Sequence, residues 1–227
     1  MQDLKSAEQA AAAEEKAVFA CDIGYKEKPV YDVFKRLGDI VCSLLALILL
    51  SPLLIGVAAA IMIGDPGNPI YTQERTGKDS KTFIMYKFRS MRKGAEKERD
   101  SLLAQNEADG PIFKISDDPR VTKVGRFIRK TSIDELPQLV NIIKGDMSII
   151  GPRPLPTYEQ EKCNEYQQQR LLVKPGLSCF TALEKNSKDD FDHWIELDMK
   201  YIRERSVLTD IKIIIRTIGV VLKLNNN

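Results

Sequence analysis

Histidine is nearly absent from this 227-residue chain, with His193 the single example. One imidazole cannot build a histidine metal cluster, and no activated serine is placed beside it for a Ser-His-Asp system. Next to Trp194, His193 reads as a surface or packing residue. Cysteine is scarce too. Cys21, Cys42, Cys163 and Cys179 include no C-x-x-C pair, which argues against a zinc site and a disulfide framework and for a reducing, cytosol-facing compartment. No Walker A, G-x-G-x-x-G or H-E-x-x-H pattern occurs. Chemistry here falls to carboxylates and cations.

Another absence is local. No charged residue lies between Ile40 and Gly64, in a chain that is 29% charged. As one helix this run would reach roughly 37 Å, against a hydrocarbon core of about 30 Å, so the default reading is a transmembrane span. Two features oppose it. Pro52 removes the backbone bond to Ile48 and should kink the helix, while the Ser51 hydroxyl can satisfy freed backbone groups. Each half, roughly 18 Å long, is too short to cross but long enough to enter and return. Both flanks are also basic, with Lys26, Lys28, Lys35 and Arg36 before the run and Arg75, Lys78 and Lys81 after it. A positive-inside bias is therefore lacking. A re-entrant hairpin and a proline-kinked span both fit these residues. No secretory signal precedes the run, since Glu14, Glu15 and Lys16 interrupt the N-terminal segment.

The net charge of +2 conceals a strong asymmetry. Residues 75–93 and 120–130 together carry +11, and the rest of the chain −9. Few aromatics interleave with these cations, so phosphate-bearing lipid or substrate is the expected partner and nucleic acid is not.

Turn residues Asp65–Pro69 end the apolar run. Ile70–Thr72 and Lys81–Phe88 read as a hairpin around Gly77. Residues 93–109 are helical by propensity, and Ser116–Pro119 is a turn. Leu136, Leu139, Val140 and Ile143 define the apolar face of a helix that Gly145 ends, with Asp134, Gln138 and Asn141 on another face. Prolines on both sides of Arg153 aim its guanidinium from a rigid loop. Tyr158–Leu172 reads as a polar helix and Lys174-Pro175-Gly176 as a turn. Near the end, Ile211, Ile214, Ile215, Ile218 and Leu222 form a stripe, with Lys212, Arg216 and Lys223 off it. A helix lying in a bilayer interface has this pattern, and so does one packed on a core. The fold class expected is α+β and mostly helical. Residues 1–32 are expected to be an N-terminal extension, 33–64 a membrane helix with its break at Ser51-Pro52, and 65–227 a small domain.

The run Arg126–Pro137, RFIRKTSIDELP, concentrates the chemistry. Ser132-x-x-Glu135 matches a capping box, and acids favour helix N-termini, so Asp134 and Glu135 fit a structural role. The same geometry fits a carboxylate nucleophile among arginines, the combination phosphoryl transfer needs. Asp190-x-Asp192 resembles the acidic motif of metal-dependent glycosyltransferases, or is a solvated loop with Asp189.

Four runs, KRLGDIVCSLLALILLSPLL, YKFRSM, DPRVTKVGRFIRKTSIDELPQLVNIIKGDMSIIGPRP and KPGL, resemble the bacterial sugar transferase family, over about residues 33–223. These are monotopic phosphoglycosyl transferases. The resemblance implies transfer of a sugar-1-phosphate from a UDP-sugar to undecaprenyl (polyprenyl) phosphate with release of UMP, as the first step of exopolysaccharide, capsule or glycan assembly. It implies that residues 33–64 are a re-entrant membrane helix broken at Ser51-Pro52, both ends cytoplasmic, at the inner membrane among its lipids, and that 65–227 are a catalytic domain on the cytoplasmic face. The family dyad falls on Asp134 and Glu135. Asp134 is the implied nucleophile, giving a covalent phosphosugar, with Mg²⁺ beside it. Arg129 and Arg153 match phosphate-holding residues, their individual roles open, and Lys87, Arg89 and Gln138 complete the implied substrate contacts. Where many members read P-G-[LI]-T-G-x-x-Q, this chain has Pro175 to Ala182 as PGLSCFTA, a departure that touches sugar specificity and not the dyad. A minimal member with an N-terminal extension is expected. No motif encodes the sugar, the pathway or the oligomeric state. A non-enzymatic membrane scaffold, with the dyad as a helix cap, is the competing expectation.

Overall fold

A computed structural model describes residues 23–184 and 190–224, with no account of side chains 221–224. Most of the N-terminal extension, Cys21, Asp189 and the Leu222 side chain thus lie outside the described residues.

Helix α1 runs Pro29–Gly64, with a proline at its first turn, where a missing N–H costs nothing. The helix is one element that continues through Pro52. The Ser51 hydroxyl donates to Ile48 O at 2.8 Å, the carbonyl that Pro52 cannot bond. Buried positions on α1 (Asp39, Ser43, Val57 and Ile61) lie on both sides of Pro52. Between them, Ile48 and Leu49 are 68% and 77% exposed. Among the described residues α1 is the one helix long and apolar enough to cross a membrane.

Strands β1 (Ile70–Thr76) and β2 (Thr82–Phe88) pair antiparallel, Ile70 opposite Phe88 and Thr76 opposite Thr82. The hairpin is as expected, with a longer first strand. Residues 93–109 differ from expectation: they form two 3₁₀ segments, Ala95–Glu98 and Asp100–Gln105. This charged stretch has no apolar stripe to bury, and propensity alone does not sustain a short helix.

Helix α2 (Lys123–Lys130) is capped by the Thr122 hydroxyl, which accepts from Gly125 N at 2.9 Å. Helix α3 (Gln138–Lys144) ends at Gly145, whose φ of +96° suits glycine. Its buried face is not the one the apolar spacing suggests. Gln138, Leu139, Asn141 and Ile142 are buried, and Val140 is exposed. Asn141 causes the rotation: its side chain accepts from Tyr86 N and donates to Ile84 O, at 3.0 and 2.7 Å, fastening α3 to β2.

Strand β3 (Ser148–Ile150) pairs in parallel with β4 (Gly176–Ser178), so Lys174-Pro175-Gly176 leads into a strand and is not a turn. The expected helix Tyr158–Leu172 is three pieces, α4 (Thr157–Gln160), α5 (Glu165–Gln168) and a 3₁₀ segment Gln169–Leu172. Asn164 restarts the chain in a capping box with Gln167. Helices α6 (Phe191–Glu204) and α7 (Val207–Leu224) complete the fold. On α7, Ile213 is buried, while Ile211, Ile215 and Ile218 are 46%, 64% and 55% exposed. The stripe is therefore divided: Ile214 packs against the core beside Ile213, and Ile211, Ile215 and Ile218 face outward.

Apolar residues gather in four clusters. One holds α6 through Trp194, Ile195, Met199 and Ile202. A second joins Val57 and Ile61 of α1 to Phe88 and Ile128, with Ile133 against them. A third joins Met85, Leu139, Ile142 and Met147, with Ala46 and Leu47 of α1 and with Leu136. The fourth joins Ile150, Tyr201 and Ile213. The dyad sits between the second and third.

Candidate active site

Asp134 and Glu135 lie on a single 3₁₀ turn, Ile133–Glu135, between α2 and α3. The capping-box reading fails here. Ser132 has φ +56° and no side-chain cap bond, and Glu135 turns to other partners. Arg153 donates to both carboxylate oxygens of Glu135, Nη1 to Oε2 at 3.3 Å and Nη2 to Oε1. Lys87, from β2, donates to the same Oε1 at 3.1 Å. Glu135 is therefore held by two cations brought from separate elements.

Asp134 differs sharply from its neighbour. It is 9% exposed, and no hydrogen bond or ion pair engages its carboxylate among the described residues. Burial pushes its pKa up, the Glu135 charge adds to this, and Lys87, Arg153 and Arg129 oppose it. Burial also acts against the Glu135 charge, but Arg153 and Lys87 outweigh it and hold that carboxyl far below the usual range. Lys87 itself is pushed down to about 8 by burial, despite its ion pair. One carboxylate is thus locked by cations and the other left available among them.

The arginine loop is itself braced. Arg75 donates to Pro154 O at 2.8 Å and Arg170 to Arg153 O at 2.6 Å. Arg170 is fixed by a fully buried ion pair with Asp198 at 2.7 Å. Close crossing of β3 and β4 seats the loop: a Cβ on Gly176 would lie 2.1 Å from Gly151 N, a contact only glycine permits. Sequence reasoning missed Arg75, Arg170 and Asp198 as supports. Arg75 stood in a basic run, and no pattern flags the other two as a buried pair.

The remaining sequence candidates are more dispersed. Arg129 donates from Nε to Ser90 Oγ at 2.8 Å and contributes to the field at Asp134. Gln138 is 2% exposed, and its Nε2 has no hydrogen-bond partner among the described residues. Arg89 instead turns to the end of α1, donating to Asp65 O and lying 3.8 Å from its carboxylate. Arg120 and Arg92 pair with Asp118 and Glu98. The +11 of the two basic runs is consequently not one free cationic face, since much of it is engaged internally. Lys81, Lys93, Lys123, Arg126, Arg129 and Lys130 remain exposed. Of the other acidic motif, Asp190 caps α6 by accepting from His193 N at 2.9 Å. His193 pairs with Glu184 at the surface.

Magnesium ordinarily keeps several waters and binds through one or two carboxylates plus substrate phosphates. Asp134, the unpaired carboxylate here, fits such a role. No group of three His, Cys, Asp or Glu residues forms a protein cage among the described residues.

The site thus offers one carboxylate without a partner set among cations, in a chain that also carries a long apolar helix. The chain belongs to the bacterial sugar transferase family, whose profile matches residues 30–224. It is 45% identical over 195 residues to the galactosyl transferase CpsE of Streptococcus agalactiae serotype III, covering 84% of this chain and 42% of that protein. Identity to the undecaprenyl-phosphate galactose phosphotransferase of Salmonella typhimurium is 41% over 196 residues, covering 83% and 40%. To the exopolysaccharide production protein ExoY of Sinorhizobium fredii it is 35% over 198 residues, covering 86% and 88%. The chain thus spans about two fifths of the first two relatives, at 42% and 40%, and most of the third.

Proposed function

We propose that this protein transfers a sugar-1-phosphate from a UDP-sugar to undecaprenyl phosphate, releasing UMP, at the cytoplasmic face of the bacterial inner membrane. The carrying observation is the division of labour in the dyad: Glu135 is tied to Arg153 and Lys87, and Asp134 is not tied. The names of the relatives, an undecaprenyl-phosphate galactose phosphotransferase among them, support the substrate classes.

In the first step an Asp134 carboxylate oxygen attacks the β-phosphorus that bears the sugar. The bond from that phosphorus to the bridging oxygen breaks, and UMP leaves with the electron pair. An acyl phosphate then joins Asp134 to the sugar phosphate. In the second step a phosphate oxygen of the lipid attacks the same phosphorus, the acyl-phosphate bond breaks, and the Asp134 carboxylate is restored. Arg153 and Lys87 place positive charge beside the transferring group, and Glu135 holds both in position. Mg²⁺, when bound with the diphosphate at Asp134, would supply further neutralisation of its oxygens.

A lipid phosphate lies at the interface, so the nucleophile must be held there. We read α1 as re-entrant, with its bend at Ser51-Pro52 and both ends cytoplasmic. Both arms pack on the same domain, while Ile48 and Leu49 between them are exposed. The exposed stripe Ile211, Ile215 and Ile218 on α7, with Lys212 and Arg216 beside it, suits the lipid interface. The test is the nucleotide product. UDP-sugar and undecaprenyl phosphate should yield UMP; UDP as product would indicate a glycosyltransferase, and no nucleotide release would favour a scaffold.

A further inference from the structure

Each residue flanking the dyad joins an apolar cluster that also takes in a different arm of α1. Ile133, preceding Asp134, packs with Val57 and Ile61 from beyond Pro52. Leu136, following Glu135, packs in the cluster that includes Ala46 and Leu47 from before it. Strand β2 crosses the same seam, with Met85 in one cluster, Phe88 in the other and Lys87 between them. Relative placement of the two arms therefore sets the placement of Asp134, Glu135 and Lys87.

Apolar contacts are non-directional and permit sliding. A directional tie comes from Arg36. From the N-terminal arm its Nη1 and Nη2 donate to Ile142 O and Ile143 O, at 2.5 and 2.7 Å. These carbonyls belong to the last turn of α3, where helical partners run out and the dipole favours a cation. Room for the guanidinium comes from Gly145, where an added Cβ would approach Arg36 Nη2 to 3.3 Å. Asp39, one turn along α1, accepts from Ile149 N at 3.0 Å, so the far end of α3 and the start of β3 are both fastened to this arm. At seven residues, α3 is only about 10 Å long, and a shift at its C-terminal end reaches the dyad.

We propose that Arg36 is a positioning residue of the active site, which fixes the dyad by clamping the C-terminal end of α3 to the membrane helix. Its catalytic consequence rests on the reading of Asp134 as nucleophile; the structural linkage does not. The test uses the full chain in lipid nanodiscs, with Arg36→Gln and Arg36→Lys compared with wild type. Backbone hydrogen exchange of residues 133–144 should speed up about tenfold in Arg36→Gln, with residues 123–130 unchanged. UMP release should lose about tenfold in kcat with KM for the UDP-sugar within about twofold, as expected of misplaced catalytic groups. Arg36→Lys, with one ammonium for two carbonyls, should fall between, and it carries the same comparison if the glutamine variant fails to fold. Unchanged exchange across 133–144 overturns the proposal, whatever the wild type does with UDP-sugar. Faster exchange with unchanged kcat, or a raised KM alone, overturns the positioning role. A wild type that releases no UMP defeats the proposed function, and the exchange comparison still decides the clamp.

Discussion

Arg153 forks onto Glu135 from 18 residues further along the chain, one guanidinium nitrogen to each carboxylate oxygen. A two-point pair of this kind fixes orientation as well as charge. It leaves Glu135 with little freedom to act as a base and makes Asp134, with no such partner, the acid available to a substrate.

Replacement of Glu135 by Gln removes the charge that holds Arg153 and Lys87. The expected loss is about 1–3 kcal/mol, between the worth of an exposed pair and that of a buried one, read from thermal or denaturant unfolding. Because the Glu135 charge helps hold the Asp134 carboxyl up, the acid limb of any residual kcat/KM should move to lower pH. A variant with wild-type stability and pH profile would contradict this arrangement.

On the proposed reaction, Lys87 should set the alkaline limb. Its ammonium is held down to about 8, so the free enzyme loses this cation as pH rises through that value. kcat/KM should fall there, and Lys87→Arg should move the limb upward, since guanidinium stays charged. Stability runs with the opposite sign. Between about 8 and about 10.4 the unfolded chain keeps a proton that the folded chain has shed, so this group alone makes stability rise with pH. A pH–rate profile unmoved by Lys87→Arg would exclude Lys87 as the group responsible.

Asp198 and Arg170 form a fully buried pair whose guanidinium also holds Arg153 O. Asp198→Asn strands that charge and should cost about 3–5 kcal/mol, whereas joining it to Arg170→Met should recover much of the loss. Unfolding midpoints of the two variants check this. A double variant as unstable as the single would mean that the uncompensated charge is not the cause.

Membrane topology is testable by thiol labelling. With the native cysteines replaced, Lys26→Cys and Lys81→Cys flank α1 at exposed positions. A re-entrant helix leaves both inaccessible to a membrane-impermeant reagent in intact cells. Labelling of one alone would establish a span.

The parts of the molecule legible from residue order were those governed by local rules. The apolar run, the hairpin before and after Gly77 and the stop at Gly145 all follow from side-chain pattern and turn chemistry. The buried face of α3 was misjudged because Asn141 takes its burial from bonds to β2, a tertiary cause invisible to spacing. Parallel pairing of β3 with β4 was likewise missed, since three-residue strands carry almost no periodicity. In the site, TSIDELP pointed to the acids but not to their contrast. Separating Glu135 from Asp134 required Lys87 and Arg153, which the fold brings from far along the chain.

The most direct measurement mixes the protein with a UDP-sugar and no lipid acceptor, then examines it by rapid quench and peptide mass spectrometry. A stoichiometric burst of UMP together with a sugar-phosphate adduct on Asp134, both abolished in Asp134→Asn, is the predicted result. Continued UMP release by Asp134→Asn, or an adduct on another residue, would contradict Asp134 as the nucleophile.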